Sequence, residues 1–323
     1  MNTALASGAF LIALLSAGLM GYAIQRGATC TVAAIGEIVE NGTTKRLIAL
    51  GETALWVGGG ILLARATGLL PMLPKGFALS QWTALGGVLL GLGAYFNGAC
   101  LFGAIARLGA GDWAYTLSPV GFYFGLTTFP IVFGVSTAHS SPTSSPNFMA
   151  TVTVALMIAF VGYALWRLWR VFGRSLSEIE TRRIQRVWMP HEATILIGIT
   201  FVVLLVTFGF WTYTDLLVDL SQHRVRDIGL RSLLFVALFA GAILGGLTAG
   251  RFRLRPFRVT QLARCFVGGM LMGWGGALTP GGNDWLILVG MPLLWPYAWV
   301  SVLTMCGTIW MALTLERRVT SQR

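Results

Sequence analysis

Gly91-Leu92-Gly93-Ala94-Tyr95-Phe96-Asn97-Gly98-Ala99-Cys100-Leu101-Phe102-Gly103 sets a polar break and a thiol inside a run that is otherwise apolar from residue 81 to 108. A hydrophobic run of that length reads as a membrane helix. Within it, Gly98 and Ala99 remove side-chain bulk where another backbone can approach. Asn97 and Cys100 place hydrogen-bonding atoms at a depth where an unmatched polar group is costly. Such an interruption calls for a partner or a ligand, and the chain is read outward from it.

The composition fits a membrane setting: of 323 residues 55% are hydrophobic and 11% charged, against about 25% charged in an ordinary soluble domain. Apolar segments run over 5–24, 47–66, 81–108, 112–135, 149–172, 193–211, 230–250, 265–290 and 293–315. Each is about 20 residues or longer, which predicts an all-α integral membrane protein with about nine transmembrane helices in a single membrane domain over 1–323. A shorter apolar stretch at 28–39, containing Cys30, is too short to cross and reads as a half-helix dipping into the bundle. No basic residue precedes the first apolar run, so that run reads as a retained helix and not as a cleaved signal.

A net charge of +11 would point to nucleic acid in a soluble chain. Here the arginines cluster in connections: Arg174, Arg182, Arg183 and Arg186; Arg251, Arg253, Arg255, Arg258 and Arg264; and Arg317, Arg318 and Arg323 in the tail. They read as topology signals that place these segments, with Lys45 and Arg46, on the cytoplasmic side. The uncharged Ser/Thr/Pro loop of 137–148 and the loop with Lys75 then lie outside. Nine crossings reconcile these assignments, with the N-terminus outside and the C-terminus inside a cell inner (plasma) membrane. The expected surroundings are lipid, with no nucleic acid partner.

The chain also repeats itself. Ala84-Leu85-Gly86-Gly87-Val88-Leu89-Leu90-Gly91-Leu92-Gly93 resembles Phe266-Val267-Gly268-Gly269-Met270-Leu271-Met272-Gly273-Trp274-Gly275, and each is followed by a small polar break. One repeat covers about 5–135 and the other about 193–315, separated by a linking helix at about 149–172. The odd number of crossings between them makes the repeats inverted in topology, an arrangement that transporters use with the site at the bilayer midplane.

Four cysteines, Cys30, Cys100, Cys265 and Cys306, form no CxxC and no Cys/His metal spacing, so no metal or other cofactor is expected. His139, His191 and His223 are scattered in connections and suggest no relay. No catalytic residue is assigned, and the chain does not read as an enzyme. Arg26 and Glu52 are ionisable groups below the membrane surface. For Arg26 the expectation is a structural pairing with Glu37 or Glu52, or snorkelling to the surface.

Two stretches carry a specific resemblance. Gln25-Arg26-Gly27-Ala28-Thr29-Cys30 is similar to the Gln-Arg-x-x-x-Cys motif of the YeeE/YedE family, and Asn97-Gly98-Ala99-Cys100-Leu101-Phe102-Gly103 resembles its Gly-x-Cys-x-x-Gly element, in the same order. With the glycine-rich repeats and the short non-spanning segment, the resemblance covers essentially the whole chain. It implies uptake of a small sulfur-containing anion, thiosulfate first, along thiols between interrupted helices. Family members that carry thiosulfate have a further cysteine in a Gly-Gly-Cys element of the second half. Here that element reads Thr279-Pro280-Gly281-Gly282-Asn283-Asp284, and the cysteine position falls on Gly282 or Asn283.

The expected substrate-binding residues are therefore Cys30, Cys100, Asn97, Gly98, Gly281, Gly282 and Asn283, with Gln25 and Arg26 supporting. The Gly98 and Gly281–Asn283 breaks are expected to face each other. A protonated thiol donates a weak hydrogen bond to an anion, whereas a thiolate repels it, and successive weak donors let an ion enter and leave. Asn283 replaces one thiol with an amide, or with Asp284 it caps the second half-helix. Cys265 and Cys306 read as packing residues. The alternative is a membrane-embedded thiol redox or sulfur-carrier protein in which Cys30 and Cys100 alternate between dithiol and disulfide or persulfide. A cytoplasmic sulfurtransferase-type partner is a further expectation.

Overall fold

In the computed structural model, residues 3–70, 72–134, 153–176, 188–224, 227–256 and 258–321 are described. The Ser/Thr/Pro loop of 137–148 and the cluster of Arg182, Arg183 and Arg186 lie outside the described residues.

Where the apolar runs meet glycine or a polar break, helices stop. The first half consists of α1 (Thr3–Gly27), the short α2 (Thr31–Asn41), α3 (Lys45–Ala66), α4 (Gln81–Asn97), the short α5 (Leu101–Gly109) and α6 (Leu117–Phe133). α7 (Thr153–Leu176) follows. The second half consists of α8 (Pro190–Thr207), the short α9 (Tyr213–Ser221), α10 (Ile228–Thr248), α11 (Val259–Leu278), the short α12 (Asn283–Trp285, continued by a π turn over Leu286–Gly290) and α13 (Pro296–Ser321). No strand occurs among the described residues.

The same order of long and short helices thus appears twice, and the packing partners exchange between the halves. α1 packs on α8 and α4 on α11; α1 lies on α10 as α8 lies on α3, and α4 lies on α13 as α11 lies on α6. The two glycine-rich stretches lie on the touching α4 and α11. A Cβ on Gly93 would stand 2.6 Å from the Gly268 carbonyl oxygen, and one on Gly268 2.7 Å from that of Gly93. Backbone therefore meets backbone, as small residues allow between membrane helices.

Seven helical segments among the described residues are long and apolar enough to cross a membrane. The expected spans missing from these seven are α7 and α11. Both have the length, at 24 and 20 residues. α7 carries Arg167 and Arg170; α11 carries Gln261, Arg264 and five glycines, which lower its apolarity. With α4 on one side and α6 on the other, α11 is lined by protein and needs little lipid-facing side chain.

The run of 81–108 is two helices. Gly98 takes φ +72, a left-handed conformation that glycine accepts at little cost, and ends α4. The nine residues of α5 reach only about 14 Å. The expected half-helix at 28–39 is α2. A counterpart, α9, occupies the stretch after residue 211, where the apolar pattern suggests only a connection. The 22 residues of α3 extend for about 33 Å, so its two ends mark opposite faces of the bundle.

Candidate functional site

All four short helices begin at one buried centre. α2 starts after Cys30, α5 after Cys100, α9 after Thr212 and α12 after Gly282, each of these residues in extended backbone. The first N–H groups of a helix lack partners within it and attract acceptors. Three of these starts are capped by side chains from a neighbouring short helix. Thr31 N donates to Cys100 Sγ at 3.1 Å, Leu101 N donates to Asn283 Oδ1 at 3.2 Å, and Thr214 N donates to Asp284 Oδ2 at 3.2 Å. Tyr213 OH donates to the Leu101 carbonyl at 3.2 Å, which joins α9 to α5.

Cys30 and Cys100 lie in one neighbourhood, since Thr31, the residue after Cys30, donates to Cys100 Sγ, and all four cysteines are free. A Cβ on Gly103 would run into Cys30 Sγ. The Gly-x-Cys-x-x-Gly pattern thus has a local cause at each position: Gly98 ends α4 in left-handed backbone, Cys100 precedes α5, and Gly103 leaves room for the first thiol.

Asn97 is fully buried, and both ends of its amide are occupied. Nδ2 donates to the Ala99 carbonyl at 2.7 Å and Oδ1 accepts from Ser118 Oγ at 2.8 Å. It clamps the break in place. Gly98 does not face the second-half break; it lies beside Tyr115, while Leu101, one residue past Cys100, bonds to Asn283.

In the second half the residue before α12 is Gly282, as Cys100 is the residue before α5. A Cβ there would lie 2.5 Å from Asp284 Oδ1 and 2.5 Å from Leu101 Cδ1. Gly281, at φ +120, packs its backbone on Trp285. Asn283 does not cap its own helix; it caps the facing α5. Because an amide NH2 cannot accept a hydrogen bond, the bond from Leu101 N fixes the orientation of this amide. Nδ2, on a side chain with 0% exposure, is left without a hydrogen-bond partner.

Two cavities, of about 540 and 660 Å³, adjoin at Gly98 and Arg107. The larger reaches Cys30 and is bounded by Gln25, Glu37, Arg46 and Arg251; the smaller by Arg255, Arg258 and Arg264. Together they form a vestibule rich in arginine on the face where α3 begins. Cys30 stands at its floor, Cys100 one step deeper with 0% exposure, and Asn283 beyond it.

Gln25, also buried, fits against Gly109 and Gly245. The Arg26 guanidinium lies over the rings of Tyr22 and Trp188, at 5.5 and 5.7 Å. Glu37 binds Arg46 at 3.2 Å, and Glu52 accepts from Arg167 Nε at 2.7 Å, from Tyr163 OH at 2.8 Å and from His191. His191 is thereby part of a network tying α3, α7 and α8. Cys265 is buried and Cys306 half-buried. Among the described residues no cluster of three metal-ligating side chains occurs.

Sequence reasoning missed Thr31, Thr212, Tyr213 and Thr214. The available signal was the polar run Thr212-Tyr213-Thr214-Asp215 directly after an apolar segment, with Thr212 N donating to Asp215 Oδ2 at 2.9 Å in a capping box.

Comparison with known proteins agrees with this architecture. The profile of the family described as Sulphur transport matches residues 26–311. The thiosulfate transporter TsuA of Escherichia coli (strain K12) is 23% identical, with 94% of this chain and 93% of the relative aligned. The thiosulfate transporter TsuA of Spirochaeta thermophila (strain ATCC 700085 / DSM 6578 / Z-1203) is 27% identical, over 94% and 98% of the two chains. With a profile match across most of its length and relatives aligned nearly end to end, this multi-pass helical membrane protein belongs to the sulphur transport family.

Proposed function

We propose that the chain is an inner-membrane importer of a small sulfur-containing anion, thiosulfate first, built as two inverted repeats with the N-terminus outside and the C-terminus inside. The anion crosses where the four short helices begin. The thiols of Cys30 and Cys100 and the amide of Asn283 act in turn as donors, and the arginine vestibule receives the ion on the cytoplasmic side. Gly281 and Gly282 supply close backbone approach, Gly98 and Asn97 hold the thiol-bearing break open, and Gln25 and Arg26 brace the break before Cys30.

The observation that carries this reading is the unpartnered Asn283 Nδ2 beside the capped α5 start. A fully buried amide donor with no partner is costly, and a passing anion matches it. The capping atoms, a thiol sulfur and an amide oxygen, are uncharged acceptors on helix N-termini. An oxyanion displaces such acceptors readily, and the same N–H groups then hold the charge. Several weak sites in series permit release as well as entry.

Uptake of labelled thiosulfate by a sulfur-starved host tests the proposal. Cys100→Ala and Cys30→Ala are expected to abolish uptake at unchanged protein level. Full uptake by both variants removes the thiols from the mechanism. The facing of Cys30 and Cys100 also suits the thiol-redox alternative, which predicts a linked or persulfidated pair that cycles with substrate in non-reducing mass spectrometry; the transport reading predicts free thiols throughout. A sulfurtransferase-type partner at the vestibule is part of the proposal and is tested by co-purification with the chain from membranes.

A further inference from the structure

The transport reading leaves two carboxylates unused, and they stand at the second-half break. Asp284 is 1% exposed, at the start of α12. Its Oδ1 accepts from Thr214 Oγ1 at 2.6 Å and its Oδ2 from Thr214 N at 3.2 Å. The Thr214 hydroxyl lies 3.2 Å from that of Thr212. Asp215 Oδ2 accepts from Thr212 N at 2.9 Å while the Thr212 hydroxyl accepts from the Asp215 N–H in the same capping box, which brings hydroxyl and carboxylate side by side. A continuous row of exchangeable groups therefore runs Asp215, Thr212, Thr214, Asp284. Its inner end is sealed in the centre, and its outer end, Asp215, is half-buried.

Among the described residues no Lys, Arg or His forms an ion pair with Asp284 or Asp215. The charged and titratable groups around them are few. α9 itself carries Tyr213, α5 brings Cys100, α13 brings Tyr297, and α10 brings Arg231, already bonded to Asp219 at 2.8 Å. α3, packed on α12, carries Glu52, engaged with Arg167 and His191, and Arg65 in its last turn. α6, packed on α9, contributes no charged side chain. Outside the row, Asn283 Nδ2, on a side chain 0% exposed, lacks a hydrogen-bond partner among the described residues. An unmatched donor beside a buried carboxylate suits a small polar species that passes there.

The row and the vestibule lie towards opposite faces. Lys45 and Arg46, at one end of α3, line the vestibule. Tyr297, close to Asp215, stacks on Trp295 and meets Phe77, which follows the other end of α3. A carboxylate beside the anion's crossing repels a dianion; a protonated one does not. Ionisable groups buried in a membrane bundle commonly serve as proton carriers.

We propose that Asp215, Thr212, Thr214 and Asp284 form a proton relay that couples anion transit to proton uptake from the face opposite the vestibule. The inference rests on the transport reading and adds its energy source. A proton bound by Asp215 is passed to the Thr212 oxygen, which gives its own proton to Thr214. Thr214 then gives its own to Asp284 Oδ1. One proton moves inward and both hydroxyls end as they began. Neutral Asp284 lets the anion pass Asn283, and its proton leaves with the anion into the vestibule.

The test uses the purified full chain in liposomes loaded with a pH dye, with the membrane potential clamped at zero and labelled thiosulfate as the probe. An inward proton gradient of one pH unit is expected to raise wild-type uptake about fivefold over matched pH, with acidification of the lumen on adding thiosulfate. Asp284→Asn and Thr214→Val are expected to lose both responses. Thr214→Ser, which keeps the hydroxyl, is expected to restore them. Thiosulfate-induced thermal stabilisation of Thr214→Val reports that it is folded and binds. Wild-type uptake indifferent to the proton gradient, uptake driven by a sodium gradient in its place, or full coupling in Thr214→Val overturns the relay while leaving transport standing. Absence of thiosulfate uptake by the wild type under every gradient overturns the transport reading, and the relay with it.

Discussion

Replacing Asn283 separates two roles that one amide combines. Its oxygen accepts from Leu101 N at 3.2 Å, and its nitrogen is the buried donor without a partner. Asn283→Ala removes both and leaves the Leu101 N–H unmatched, which costs about 1–3 kcal/mol of stability. It also removes a donor to an anion; a hydrogen bond to a charged group contributes about 1.5–3 kcal/mol, or roughly 10- to 150-fold in affinity. Asn283→Asp keeps an oxygen in place for Leu101 N and replaces the donor with a second oxygen. At about 4 Å and an effective dielectric constant of about 20, a unit charge opposes a dianion by about 8 kcal/mol, far more than one hydrogen bond can offset. The assay is thermal unfolding of purified protein with and without thiosulfate. Asn283→Ala is expected to unfold earlier and to show a weakened thiosulfate shift. Asn283→Asp is expected to unfold earlier than the wild type, since the new carboxylate is buried beside Asp284, and to show no thiosulfate shift. Wild-type affinity in Asn283→Asp would refute both the orientation of the amide and its role as a donor.

Gly103→Ala is expected to disturb the thiol pair, because the added methyl meets Cys30 Sγ; uptake should fall about tenfold, and the Gly103→Ala, Cys30→Ala double variant should recover stability without recovering uptake. Gly282→Cys, which places a thiol before α12 as Cys100 stands before α5, is expected to lower stability and not to improve uptake, since its Cβ lands 2.5 Å from Asp284 Oδ1 and Leu101 Cδ1; improved uptake at wild-type thermal stability contradicts the packing described for that position. Glu52→Gln strands Arg167 in a site 19% exposed and is expected to cost about 3 kcal/mol; the double variant with Arg167→Met should recover most of it in thermal unfolding. Arg107, shared by both cavities of the vestibule, is expected to set anion release; Arg107→Gln should lower uptake severalfold and weaken its dependence on ionic strength.

Helix class, the broken helices and the thiol-bearing breaks were legible in the sequence because each rests on local signals. Gly98 and Cys100 sit at fixed offsets about the end of α4 and the start of α5, whereas Gly103 answers to Cys30 on another element. The glycine pattern that Gly86 and Gly93 share with Gly268 and Gly275 is read from the sequence, and the two helices that carry it touch. α9 was not legible, since nine residues with polar Thr212, Thr214 and Asp215 at their start resemble a loop when taken alone. Their reason is tertiary, with Thr214 bonded to Asp284, 70 residues away. The partner of Glu52 was hidden likewise: Arg167 and His191 are remote in sequence and meet Glu52 only once α7 and α8 have packed on α3. Asn283 stands out in the sequence as a residue, but a capping rule applied within one chain segment points it at its own helix, whereas it serves the facing one.

The proposed transport has to move a dianion inward against the membrane potential. An inside-negative potential of about 100 mV opposes each elementary charge by about 2.3 kcal/mol, hence a dianion by about 4.6 kcal/mol. A passive path would therefore hold the inside concentration roughly 2,000-fold below the outside one. Two thiols and an amide are neutral and do nothing against that gradient, and the vestibule arginines lie beyond the barrier, where they assist only arrival. On the proposed relay, Asp284, 1% exposed at the second-half break, is the group there whose charge changes by one for every proton. Each proton carried with the anion cancels half of its opposing charge. The proposal thus assigns to one buried carboxylate at the second-half break what neutral donors cannot supply, a charge that changes as the proton is carried.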